Sequence, residues 1–178
     1  YMKVSSYSGV ESTNVVLKQD IEQVSKIVKF DVKQNITEEE LFDIKVRLEN
    51  LKNELLSLNE EELEDAFYTD IAFGTGGLRG VMGVGTNRMN IYIIQKCTYG
   101  FGQYMKERFA DREELAVTIS YDCRHHSNEF AKKAAQVLAT QGFKVYLFEN
   151  LRSTPELSFT VRHLNCVGGI MITASHNP

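Results

Sequence analysis

Cysteine is scarce: Cys97, Cys123 and Cys166 are the three in 178 residues, far apart and without a CxxC pair. Neither a disulfide framework nor a structural zinc site organises such a chain, and a reducing cytoplasmic compartment is the expectation. Long apolar runs are missing too. The longest, such as IYII at 91–94 and the segment ending at Ile172, fall far short of the roughly 20 residues a spanning helix needs, so no membrane role is expected. The opening YMKVSSYSGV lacks the apolar core of a secretory signal, and a start on Tyr1 suggests a trimmed or partial chain. Without a signal, the NIT triplet at Asn35 reads as chance rather than a glycosylation acceptor. There is no basic surplus: the formal net charge is -4, which argues against nucleic acid as a partner.

What is present is ordinary in bulk and uneven in placement. Hydrophobic residues make up 43% and charged residues 25%, close to globular averages, in a length that suits one domain with at most a small appendage. Residues 36–70 hold 12 Asp and Glu against 3 Lys and Arg, so the remaining residues carry a basic surplus of 5. The expected organisation is a weakly patterned extension over 1–35, an acidic helical lead over 36–70, and an α/β domain over 71–178. In the lead, Leu41, Ile44, Leu48, Leu51, Leu55 and Leu58 recur at three- and four-residue steps, one stripe of an amphipathic helix with Thr37 as its N-cap. The stripe either packs on the body or pairs with a partner helix; at under three heptads it favours the body.

Downstream the periodicity alternates. Asn90 to Phe109 reads as a helix with Ile94, Cys97, Phe101, Tyr104 and Met105 inward, although Gly100 and Gly102 weaken it. ELAVTISY (114–121) reads as a strand. A helix capped by Ser127 follows, with Phe130, Ala134, Val137 and Leu138 inward and Gly142 at its end. Phe143, Val145 and Leu147 alternate as a second strand, Thr154 caps a helix running to about His163, and Val167 to Ile172 is apolar enough for a buried parallel strand. This β-α-β-α-β order implies an α/β fold, a three-layer α/β/α domain with a mostly parallel sheet. Ligands of such sheets bind beyond the carboxyl ends of the strands.

Three segments carry chemistry. TASHNP (173–178) lies past the last strand, and its turn-forming Asn177 and Pro178 would hold the Ser175 hydroxyl at a loop tip; no GxSxG elbow surrounds it. FGTGGLRGVMGVGTNRMN (73–90) sets six glycines around Arg79 and Arg88. Glycine admits close backbone approach to an anion and Arg offers a donor fork, so phosphate binding and a structural glycine turn both remain open. It is neither a dinucleotide fingerprint, since Arg79 stands where the third glycine belongs, nor a Walker A loop, since GK[ST] is missing. SYDCRHHS (120–127) ends the first parallel strand. The close spacing of Cys123, His125 and His126 favours no single metal ion, so the expectation is a polar loop in which Asp122 and Arg124 hold neighbouring loops in place.

Taken in order, FGTGGLRG, YDCRHHS and TASHNP resemble the α-D-phosphohexomutase superfamily over roughly residues 63–178, and the glycine segment with its acidic lead EEELEDAFYTDIAFGTGG is similar to the phosphoglucomutase and phosphopentomutase-like branch. The resemblance implies reversible phosphate transfer between the 1-position and the terminal hydroxyl of a sugar, through a phosphoserine and a sugar bisphosphate. It implies Ser175 as that serine and as a ligand, through its phosphate, of Mg²⁺. It further implies Arg79 beside the transferring phosphate, His176 assisting proton movement, and Thr75, Gly76, Gly77, Arg124 and Asn177 around the phosphate. A glucose 1,6-bisphosphate-type activator and a sugar phosphate substrate, most simply a glucose phosphate, come with it. So does a second domain whose DGDxDR loop supplies the other metal ligands.

No DGDxDR occurs in these residues, nor the lysine that follows the family's phosphoserine loop, nor its sugar-selecting and phosphate-clamping domains. The expectation is therefore a first domain of a longer enzyme, inactive alone, with the missing C-terminal domains as partners. Glucose, mannose and pentose substrates stay undistinguished. The competing expectation is a non-catalytic module that binds phosphosugars, or a partner protein through the acidic helix.

Overall fold

The computed structural model describes residues 38–174, so Thr37, residues 1–35 and the end of the chain from Ser175 lie outside the described residues. The chain divides into two compact units at the Phe67–Tyr68 junction. Within the described part of the first, the acidic lead forms α1 (Glu38–Ser57) and α2 (Glu60–Phe67). The leucine stripe is thus interrupted at its last member: Asn59 breaks the helix and starts the next. Its Oδ1 accepts from Glu62 N at 2.9 Å while its own N donates to Glu62 Oε2 at 2.9 Å, a reciprocal cap.

The second unit opens with a two-stranded hairpin, β1 (Phe73–Gly74) and β2 (Gly77–Leu78), turned by Thr75 and Gly76. After a glycine-rich loop comes α3 (Ile91–Arg108), bounded by Asn90 and Phe109 as the sequence pattern predicts. Then β3 (Ala116–Tyr121), α4 (Ser127–Thr140), β4 (Lys144–Leu147), α5 (Thr154–His163) and β5 (Gly168–Ile172) follow in strict alternation. The three strands form a parallel sheet in the order β4-β3-β5. The chain moves outward from β3 to the edge strand β4 and then back past β3 to β5, and right-handed crossovers in these opposite directions place α4 and α5 on opposite faces.

Glycines of β5 show how closely the helices sit. A Cβ on Gly168 would stand 3.0 Å from Phe101 Cζ and Met105 Cε of α3, and one on Gly169 would stand 2.7 Å from Val161 Cγ2 of α5. The alternation of one strand therefore addresses both helical layers, α3 with α4 on one face and α5 on the other: a three-layer α/β/α domain. Between α3, α4 and the sheet lies the core of Ile94, Phe101, Val117, Ile119, Phe130, Leu138 and Ile170. Full burial of such side chains contributes about 1.5–3 kcal/mol each.

Gly102, expected to weaken α3, is explained by contact: a Cβ there would meet Gln141 Oε1 at 2.6 Å, just beyond the end of α4. Gly142, with φ +87°, ends α4 in the left-handed region where glycine is favoured. Val137 is half-buried, and Ala131 is fully buried in its place on the inner face of α4. Two expected caps are corrected. Ser153, not Thr154, caps α5: its Oγ faces Glu156 N at 3.5 Å and its N donates to Glu156 Oε2 at 2.8 Å. Thr154 already has a place inside the helix ahead of Pro155. Ser127 does not cap α4 either, because its hydroxyl is drawn inward to Asp122; His126 holds the N-cap position in a left-handed conformation, φ 60°.

Candidate active site at the carboxyl ends of the strands

The parallel register fixes where the strands stop: Tyr121 of β3 pairs with Ile172 of β5, and Asp122 N donates to Ile172 O at 3.1 Å, one rung further. Beyond that rung the two segments continue as Cys123 and Thr173, and the Asp122 side chain joins them. Its Oδ1 accepts from Arg124 N at 3.0 Å and from Ser127 Oγ at 2.7 Å. Its Oδ2 accepts from Thr173 Oγ1 and from Ala174 N, the latter at 3.3 Å. Partial burial by itself would raise the Asp122 pKa, but the four donors outweigh it and hold the carboxyl below its usual range.

The loop after β4 is tied to the same edge. Ser120 Oγ donates to Arg152 O at 3.0 Å, Arg152 N to Tyr121 O at 3.2 Å, and the Tyr121 hydroxyl to Glu149 O at 2.7 Å. Three loops that follow three parallel strands are thus gathered by hydrogen bonds to the ends of β3 and β5.

The glycine segment leads into α3, whose packing gives its direction. Phe101 and Met105 lie over Gly168, the first residue of β5, and Lys106 Nζ lies 5.9 Å from the Phe143 ring centroid just ahead of β4. Gly102 meets Gln141 at the end of α4, and α3 packs along α4, which itself runs back from the carboxyl edge. The C-terminal half of α3 therefore covers the start of the strands, and its other end, about 1.5 Å per residue away, points toward their carboxyl ends. Asn90 secures that end: Oδ1 accepts from Tyr92 N at 3.1 Å and Ile93 N at 3.0 Å, while Nδ2 donates to Gly83 O and Gly85 O, both at 2.9 Å. Gly83 and Gly85 adopt φ of 148° and 132°. Several glycines in this segment thus have a structural use, the alternative that spacing alone left open.

Thr75 and Gly76 are exposed at the hairpin turn, Gly77 is buried with φ 118°, and Arg79 is exposed just after β2. Arg124 is half-buried, its backbone bound to Asp122. Ser175, His176 and Asn177 lie outside the described residues, so of TASHNP the structure places Thr173 and Ala174. No cluster of three His, Cys, Asp or Glu side chains able to hold a metal occurs among the described residues; His126 Nδ1 instead pairs with Glu129 Oε2 at 3.0 Å. Sequence reasoning assigned Asp122 the holding of loops but missed Thr173 and Ser127 as its means, and missed Asn90 as the residue that ties the glycine loop to the start of α3. The alternation of apolar residues could have placed Thr173 one residue past β5, but not its partner.

Comparison with known proteins bears on the same segments. Residues 70–178 match the family described as phosphoglucomutase/phosphomannomutase, alpha/beta/alpha domain I. A phosphoglucomutase of Staphylococcus haemolyticus (strain JCSC1435) is 47% identical over 115 residues, covering 65% of this chain and 20% of the relative. A phosphopentomutase of Homo sapiens is 44% identical over 137 residues, covering 74% of this chain and 22% of the relative. A crystal structure of a Thermus thermophilus protein assigned as a phosphomannomutase superposes with a TM-score of 0.55 at 36% identity, covering 62% of this chain and 24% of that one. The chain therefore spans about a fifth of the length of these relatives. Among the described residues, no helix is long and apolar enough to cross a membrane.

Proposed function

Because the chain belongs to the phosphoglucomutase/phosphomannomutase family through its domain I, we propose that it contributes the phosphoserine loop of a mutase that interconverts a sugar 1-phosphate and a sugar 6-phosphate, with a glucose phosphate as substrate. The observation that carries this reading is the Asp122 clamp, which holds the first two residues of TASHNP at the carboxyl edge of the sheet. In the proposed step the bond from phosphorus to Ser175 Oγ breaks as one to a sugar hydroxyl oxygen forms, and the hydroxyl proton leaves with the help of His176. A second transfer from the resulting bisphosphate returns phosphate to Ser175. Such chemistry depends mainly on positioning and on cations around the equatorial oxygens, a role suited to Arg79 and Arg124 with the backbone of Thr75, Gly76 and Gly77, and to Asn177 beside the serine.

Mg²⁺ does not find a cage in the described residues: no group of three His, Cys, Asp or Glu side chains there could hold a metal, and both Asp122 oxygens are already occupied by donors. The ion would rest on the Ser175 phosphate and on carboxylates from elsewhere in the enzyme, and residues 1–178 alone are proposed to give no mutase turnover. Ser120 and Ser127 are poor competitors for phosphate, being 0% and 3% exposed with their hydroxyls committed to Arg152 O and Asp122. The test is mass spectrometry of the full-length protein after incubation with glucose 1,6-bisphosphate. Phosphate on Ser175 is expected; a protein that binds sugar phosphate but stays unmodified at Ser175 would support a non-catalytic module instead.

A further inference from the structure

Resting on the assignment of Ser175 as the phosphorylated residue, the structure assigns Asp122 as a positioning residue for phosphoryl transfer, acting through Thr173 on the loop that carries Ser175. The two oxygens of Asp122 have separate duties. Oδ1 fastens the carboxylate to its own segment, through Arg124 N and the Ser127 hydroxyl at the first turn of α4. Oδ2 reaches across 51 and 52 positions of sequence to Thr173 Oγ1 and Ala174 N. Ser127 is 3% exposed, so the fixed side of the clamp is anchored in packed structure rather than in a free loop.

The point held is one peptide unit from Ser175, and consecutive Cα atoms are about 3.8 Å apart, so little chain separates the clamp from the nucleophile. In a reaction governed by the alignment of attacking oxygen, phosphorus and leaving oxygen, a misplacement of about 1 Å can cost on the order of 100-fold in rate. Asp122 touches neither phosphate nor sugar in this role.

The Oδ2 side of the clamp can be broken by itself in the full-length enzyme. Thr173→Val removes the hydroxyl there at nearly constant shape, Thr173→Ser restores it, and Leu138→Ala, in the core at the last turn of α4, lowers stability without touching the clamp. Thr173→Val is expected to lower kcat about 10- to 100-fold with KM for the sugar phosphate unchanged, the signature of an interaction that matters in the transition state. Thr173→Ser should return kcat to within about threefold of wild type, and Leu138→Ala should stay within that range despite a lower thermal midpoint. Hydrogen exchange at the Ala174 amide should accelerate in Thr173→Val far more than in Leu138→Ala. If kcat in Thr173→Val is unchanged, or if Leu138→Ala loses as much activity as Thr173→Val, the hydroxyl matters for folding alone and the assignment is wrong. Unchanged Ala174 exchange in Thr173→Val would overturn the positioning whatever the chemistry. A wild-type protein with no phosphate on Ser175 and no turnover would instead overturn the mutase reading and, with it, the catalytic consequence drawn from that positioning.

Discussion

Replacing Asp122 with asparagine keeps the shape of the side chain and changes its hydrogen-bonding pattern, which makes the clamp's demand for a carboxylate measurable. Each oxygen accepts one backbone N–H and one hydroxyl: Arg124 N with Ser127 Oγ, and Ala174 N with Thr173 Oγ1. The hydroxyls can rotate and accept from an amide; the backbone N–H groups cannot. Whichever way the introduced amide flips, its NH₂ faces one backbone N–H, and that orphaned donor costs about 1–3 kcal/mol. The surviving bonds also lose their charge assistance, roughly half their strength. Because Asp122 is half-exposed and water can partly satisfy the orphan, the net loss is placed at about 2–4 kcal/mol at pH 7. The pH dependence supplies a second check. The folded pKa lies below the unfolded one, so the carboxylate's stabilisation is complete above the unfolded value near 3.8 and is lost as pH falls through the lower folded value. In urea titrations of wild type and Asp122→Asn across pH, the gap between the two should be widest above pH ~5 and should close on acidification. Since every other carboxylate is shared, the difference isolates Asp122. A variant as stable as wild type at pH 7, or a gap independent of pH, would refute the argument.

Two glycines should respond to alanine with opposite signs. At Gly100 a Cβ meets nothing within 4 Å, so Gly100→Ala should stabilise α3 by about 0.8–1 kcal/mol. At Gly169 it would press on Val161 Cγ2 at 2.7 Å and on the immovable Thr118 O at 3.3 Å, so Gly169→Ala should destabilise by about 1–3 kcal/mol. Denaturant unfolding of both variants decides, and a Gly169→Ala protein at or above wild-type stability would mean that α5 is not seated as described. The cysteines should separate by reactivity: Cys123 is exposed, whereas burial pushes the Cys97 thiol up to about 11, against the opposing charge of Lys96 and with a small addition from Asp70, and burial also raises Cys166. At pH 8 a pKa near 11 leaves a thiolate fraction of about one in a thousand, so a disulfide reagent should label Cys123 promptly and the other two on unfolding. Equal rates for Cys97 and Cys123 in the folded protein would contradict the packing of α3.

Much of the fold is legible in sequence because burial leaves a local trace. A helix or strand with one covered face repeats its apolar residues at its own period, so α3, β3, α4, β4, α5 and β5 emerge within two residues of their observed ends, and FGTGGLRG, YDCRHHS and TASHNP can be recognised as a set. The capping box of Ser153 with Glu156 is written in the S-x-x-E spacing, which outranks the position of Thr154 ahead of Pro155 as the signal for the cap. Gly102, Gly168 and Gly169 were not readable, since what excludes a side chain there belongs to Gln141, Phe101, Met105 and Val161, brought up by packing. The same holds for the clamp. Asp122 at the end of a strand announces a polar loop, but any hydroxyl in a nearby loop could have been its partner. The β3–β5 register, which sets Tyr121 beside Ile172, decides that Thr173 and Ala174 are within its reach. Periodicity reports which way a residue faces, while a hydrogen bond across 51 positions depends on how two strands align, and only the tertiary structure contains that alignment.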